Sequence, residues 1–248
     1  MNELSYFTCD FDGERLSGLT AGPPGRATAV LLHGAGNGSK QRLLPLLTEF
    51  AGNGCHALAF DFSGHGESTG SLAELSLRRR FEQAVAVIDA RVSADAALVL
   101  VGFSMSGQTV ADLVRHYGPR VAAVGLCAPA VYAPEAWEVP FGNGQGRFSE
   151  IIRTPDGWRS SRALEAFRAY EGRAVLAVPG SDAVIPPAVT EAVQDALSAR
   201  ARYSRFELPD AQHRLGLWFQ DHAEDRRRFV TRLLAESAER EPVEAVSA

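Results

Sequence analysis

No stretch of this 248-residue sequence holds the ~20 consecutive apolar residues of a membrane span. Its opening residues, MNELSYFTCDFDGERL, carry acids where an export signal carries positive charge ahead of an apolar run. Cysteine is scarce. Cys9, Cys55 and Cys127 are odd in number, scattered, and without the CxxC spacing of a zinc site or redox pair, which fits a reducing, cytoplasmic setting. A basic excess is missing too: 25 Lys and Arg against 30 Asp and Glu give a net charge of −5, which argues against a nucleic-acid partner. Only one of the basic residues, Lys40, is a lysine, and nothing in its context signals a mechanism. HxH and HExxH spacings are absent, so neither a metal nor another cofactor is expected.

What remains is an ordinary globular composition, 46% hydrophobic and 22% charged, in a length that α/β folds occupy as one unit, so residues 1–248 are read as a single domain. Apolar runs of strand length recur at Ala29 to Leu32, Ala57 to Phe60, Ala97 to Val101, Val121 to Leu126 and Ala174 to Val178. Between them, Leu77, Phe81, Ala84, Val85 and Ile88, and later Val110, Leu113, Val114 and Tyr117, keep helical spacing. The alternation predicts an α/β fold with a mostly parallel central sheet flanked by helices. A hairpin about Asp12-Gly13 is expected at its edge. Ser71 and Glu74 read as a capping box, and Gly52-Asn53-Gly54 and Gly118-Pro119 as helix stops. Residues 128–172 interrupt the rhythm with four prolines, a glycine-rich run and several aromatics. They read as a short lid insertion whose Trp137, Phe141, Phe148 and Trp158, with Ile151 and Ile152, either wall an apolar acyl pocket or pack the insertion onto the sheet, the pocket being the preferred reading. Residues 236–248 read as a frayed polar tail.

The sharpest signal is Gly102-Phe103-Ser104-Met105-Ser106-Gly107, between the run ALVLV and the helix containing Val110. A serine on a strand-turn-helix elbow stands above the sheet edge, and its neighbours must be small. Ser104 is the candidate nucleophile, with Ser106 as a rival. A serine hydroxyl needs a base and a group that orients the base. His213, in Pro209-Asp210-Ala211-Gln212-His213, and Asp182, in Pro179-Gly180-Ser181-Asp182, each follow a strand-like run; Asp210 is the alternative acid. His33 and His65 sit in Gly-rich turns and are read as loop-shaping. His56, His116 and His222 are assigned to the surface or a helix face, and Arg78-Arg79-Arg80 and Arg226-Arg227-Arg228 to solvated helix faces.

The order Ser104, Asp182, His213, together with Leu32-His33-Gly34-Ala35-Gly36 and Asp61-Phe62-Ser63-Gly64-His65-Gly66-Glu67-Ser68, resembles the α/β-hydrolase superfamily, of the bacterial serine-esterase and monoacylglycerol-lipase-like kind. The resemblance spans roughly Ala27 to Leu234 and departs at Ser106, where the family usually has glycine. It implies an α/β-hydrolase fold, an oxyanion hole from the backbone N–H groups of Ala35 and Met105, and no cofactor. It also implies ester cleavage through an acyl-enzyme on a small-molecule acyl substrate. A thioesterase or acyltransferase using acyl carrier protein or coenzyme A is the alternative within this chemistry, and a ligand-binding module with little turnover the alternative outside it. The sequence leaves the oligomeric state open.

Overall fold

The computed structural model describes residues 3–235, so the segment 236–248 lies outside the described residues. A hairpin of β1 (Leu4–Phe11) and β2 (Glu14–Ala21) opens the chain, turning at Asp12-Gly13. β3 (Ala27–Leu32), α1 (Leu44–Gly52), β4 (His56–Phe60), α2 (Leu77–Arg91), β5 (Ala97–Phe103), α3 (Ser106–Tyr117) and β6 (Val121–Cys127) then alternate. α4 (Arg147–Ile152) and α5 (Arg162–Ala169) lie in the stretch before β7 (Arg173–Ser181), which α6 (Pro187–Ser198), β8 (Arg202–Gln212), α7 (Leu215–Asp221) and α8 (Ala223–Leu234) follow. The eight strands form one sheet in the order β1-β2-β4-β3-β5-β6-β7-β8. β2 runs antiparallel to both its neighbours, and every pairing from β4 to β8 is parallel.

The buried strands are continuous apolar runs because both faces of the sheet are covered, and their period of two sorts the side chains. Val30, Leu32, Leu58, Phe60, Leu98 and Leu100 pack against α2, α3, α5 and α6. Ala29, Leu31, Ala57, Ala59, Val99 and Val101 face the opposite layer, built by α1, α7 and α8 through Phe50, Phe219 and Phe229. Full burial of each large apolar side chain contributes ~1.5–3 kcal/mol. The result is a rigid sheet whose carboxyl edge carries the loops after β3, β5, β7 and β8.

Three local expectations are corrected. Ser76, not Ser71, caps α2, its side chain accepting from Arg79 N; Ser71 and Glu74 belong to a preceding turn, so no capping box forms. His56 is buried rather than on the surface, with Nδ1 2.7 Å from Gly22 O. Residues 128–172 do not wall the cleft beside Ser104. Phe141 and Phe148 are buried in the α2–α3 core, and backbone bonds Phe141 N to Leu75 O, Gly142 N to Ala73 O and Arg78 N to Trp137 O stitch the stretch to the start of α2. Among the described residues no helix is long and apolar enough to cross a membrane.

Candidate active site

Strand ends bring the three predicted side chains together. β5 ends at Phe103, β7 at Ser181 and β8 at Gln212, so Ser104, Asp182 and His213 each stand one residue beyond a strand, at the same edge. Ser181 pairs with Gln212 in the β7–β8 register, which makes Asp182 and His213 neighbours although 31 positions separate them. His213 Nδ1 lies 2.9 Å from Asp182 Oδ2, and His213 Nε2 lies 3.0 Å from Ser104 Oγ. Since a carboxylate only accepts, Nδ1 carries the proton and Nε2 is left to accept from the serine hydroxyl. Asp182 is itself held, its Oδ1 accepting from Val184 N at 2.8 Å and Ile185 N at 2.9 Å. Asp210, the rival carboxylate, is exposed on β8 and forms neither a hydrogen bond nor an ion pair with His213, whose ring partners are Asp182 and Ser104.

Ser104 sits at φ 50°, the left-handed region that L residues adopt at a cost of ~1–3 kcal/mol. The surroundings over-determine it: Ser104 N donates to Cys127 O, and Ser104 O accepts from Gly107 N and Ala130 N. Gly102 is required here, because a Cβ would lie 2.7 Å from both Ser106 O and Val110 Cγ2. On the other side of the elbow, a Cβ at Gly34 would be 3.2 Å from Phe103 O and from Ser104 Cβ, so the loop after β3 touches the serine turn. Ala35, next in that loop, and Met105, next after the serine, both have N–H groups with no hydrogen-bond partner among the described residues.

Ser106 is fully buried. Its Oγ donates to His33 O at 2.6 Å and accepts from Arg80 Nη2 at 2.8 Å, so it is engaged in structure and out of reach of a substrate. Arg80 is the larger surprise, since its sequence run reads as a solvated face. It is fully buried under the elbow, donates also to His33 O at 2.7 Å, and stacks 3.7 Å from the centre of the Phe62 ring. Burial lowers its pKa to about 9. Its Nε and Nη1 are without partners among the described residues. His33 keeps the structural part expected of it: Nδ1 donates to Gly34 O and Nε2 accepts from Phe62 N, while burial, with Arg80 next, holds its pKa well below the usual histidine range. Lys40 is also fully buried, its Nζ 2.6 Å from both Asp61 Oδ2 and Glu67 Oε2 and its N bonded to Asp61 Oδ1, which ties the loop after β3 to the loop after β4.

A cleft of about 330 Å³ opens over Ser104. Its walls come from the 33–39 loop, Arg42, Leu43, Phe103 and the 213–217 segment, and none from the 128–172 stretch. A second cavity of about 620 Å³ lies farther down α3, between Phe81, Asp112, Tyr132, Trp137 and Arg162, and does not include Ser104 or His213.

A serine elbow, an imidazole and a carboxylate thus stand within hydrogen-bond distance of one another at one edge of the sheet. The family model described as serine aminopeptidase, S33 (Hydrolase_4), matches residues 23–153. The chain belongs to that family. Among solved structures it is similar to the thioesterase domain from the curacin biosynthetic pathway, at 16% identity and a TM-score of 0.70, covering 93% of this chain and 100% of that one. It is likewise similar to Est1E from Butyrivibrio proteoclasticus with ferulic acid bound, at 17% identity, TM-score 0.70, 93% and 100% coverage. Monoacylglycerol lipase from Paleococcus ferrophilus matches at 20% identity, TM-score 0.64, 88% and 99% coverage. At these identities the likeness establishes the α/β-hydrolase fold. No curated protein matches the chain.

Proposed function

We propose that the chain is a serine hydrolase that cleaves a carboxylic ester through an acyl-enzyme. The observation that carries the reading is the unbroken hydrogen-bonded path from Ser104 Oγ through His213 to an Asp182 fixed by two backbone N–H groups. Ser104 Oγ attacks the ester carbonyl carbon while its proton passes to His213 Nε2. Asp182 keeps Nδ1 protonated and stabilises the imidazolium that forms. The unpartnered N–H groups of Ala35 and Met105 take the developing oxyanion, and removing one such donor typically costs ~3 kcal/mol. The imidazolium then protonates the leaving alkoxide. Water, deprotonated by His213, attacks the acyl carbon and releases the acid and Ser104.

The same path serves a thioester, and the likeness to a thioesterase domain keeps that substrate in view. Rates on an ester and a thioester with one acyl group decide between them. The buried, free cysteines Cys55 and Cys127 suit a cytoplasmic setting. The test of the chemistry is covalent labelling by a fluorophosphonate. Labelling and hydrolysis of p-nitrophenyl butyrate vanish in Ser104→Ala and persist in Ser106→Ala. Wild-type protein that takes no label, or Ser104→Ala that keeps hydrolysis within about tenfold of wild type, overturns the assignment.

A further inference from the structure

We propose that the cleft selects acyl substrates carrying an anionic oxygen group, a carboxylate or a phosphate, close to the scissile bond, and that Arg42 and Arg214 are the residues that select it. The proposal rests on Ser104 being the nucleophile.

Among the described residues no Asp or Glu lines this cleft, whereas two arginines do. Arg42 is half-buried in the helical turn before α1, and Arg214 directly follows His213. Neither guanidinium makes a salt bridge or a side-chain hydrogen bond among the described residues, so both forks are available to a ligand. Between them runs the glycine-rich loop 35–39, whose N–H groups are likewise unpartnered among the described residues. Gly36 turns there at φ 66°, and a Cβ on Gly38 would collide with Gly34 O and His33 Nδ1, so the backbone folds tightly around the cleft. Successive free amides with two guanidiniums make a wall of one electrical sign. Leu43, Phe103, Leu215 and Leu217 supply the apolar remainder, in a volume near the lower end of the ~300–1,000 Å³ of ligand pockets, which suits a short acyl group. A substrate presenting a free ammonium next to the scissile bond finds no carboxylate on these walls to receive it.

The experiment compares kcat/KM for matched pairs. Mono-p-nitrophenyl glutarate against p-nitrophenyl butyrate places the anion on the acyl side. The butyryl thioester of 3-mercaptopropionate against that of methyl 3-mercaptopropionate places it on the leaving group. A charge-assisted contact corresponds to a preference of about tenfold or more for the anionic member. That ratio falls toward one in Arg42→Gln and Arg214→Gln, and in wild-type protein as NaCl rises to about 1 M. Either arm with an arginine-dependent preference supports the proposal and locates the anion. A wild-type ratio of one or less in both arms overturns it, as does a preference that both variants keep. If no substrate turns over, the hydrolase reading fails by itself. The anion site is then read by calorimetric titration of glutarate and of inorganic phosphate: binding weakened in the arginine variants upholds it, and absence of binding overturns it.

Discussion

Replacing Asp182 by Asn changes one atom's hydrogen-bonding sense and leaves volume untouched. Two backbone donors, Val184 N and Ile185 N, converge on Oδ1 at 2.8 and 2.9 Å. An amide must therefore keep its oxygen there, which turns its NH2 toward His213 Nδ1. Facing a donor, Nδ1 has to accept, so the imidazole proton moves to Nε2 and points at Ser104 Oγ, 3.0 Å away. A base that already holds its proton on that nitrogen cannot take the serine's. A wrong tautomer of this kind lowers kcat by ~10⁴, about 5.5 kcal/mol, while KM changes little because the ground-state contacts survive. Both loop-fixing bonds also survive, so the thermal midpoint stays near wild type. Steady-state hydrolysis of p-nitrophenyl butyrate beside a calorimetric melt reads both quantities. A folded Asp182→Asn protein with kcat within tenfold of wild type refutes the reasoning, and so does an equal loss in Asp210→Asn, whose carboxylate is exposed and not bonded to His213.

Two further predictions concern buried charge away from the cleft. Lys40→Met leaves Asp61 fully buried with only the backbone donors Lys40 N and Glu67 N, and destabilises the fold by ~3–5 kcal/mol; adding Asp61→Asn recovers part of the loss in urea unfolding. Burial raises the Asp112 carboxyl to about 7, even though Gln108 Nε2 donates to it. That value lies above an unfolded aspartate's, so the folded chain binds the extra proton between about pH 4 and pH 7, stability falls as pH rises through that window, and the penalty is complete above it. Asp112→Asn thus gains up to ~4 kcal/mol at pH 8 and almost nothing at pH 4; melts showing the same gain at both pH values count against this account.

Most of the fold was legible because the strands announce themselves. Runs such as ALVLV are apolar throughout, as burial on both faces demands, and the elbow serine falls where such a run gives way to a helix. The order of the site loops was legible from the same strand ends, since in a parallel sheet every strand finishes at one edge. The stretch 128–172 was harder. Its aromatics fit a wall over Ser104 and a hydrophobic seam against α2 equally well, and backbone bonds from Phe141, Gly142 and Trp137 to residues 73–78 chose the seam. Composition is silent on such long-range pairing. Arg42 and Arg214 were missed because neither sits in a motif; the cleft they share forms only when the loops after β3 and β8 are folded side by side.

Arg80 teaches a different lesson, since its position was readable and its charge obscured it. Taken as three consecutive arginines, residues 78–80 look solvated. Taken at helical spacing, Arg80 lies three residues after Leu77 and four before Ala84, on the stripe that Val87 and Ile88 continue into the core. Arg78 and Arg79, two positions and one position earlier, point outward and pair with Glu82 and with Asp12 and Glu14. Helical period thus outranks charge in deciding where this side chain goes, and the core must then supply acceptors. It supplies two, His33 O and Ser106 Oγ. Glycine at position 106 would remove one of them, so the serine in the elbow and the arginine beneath it are physically coupled through that bond.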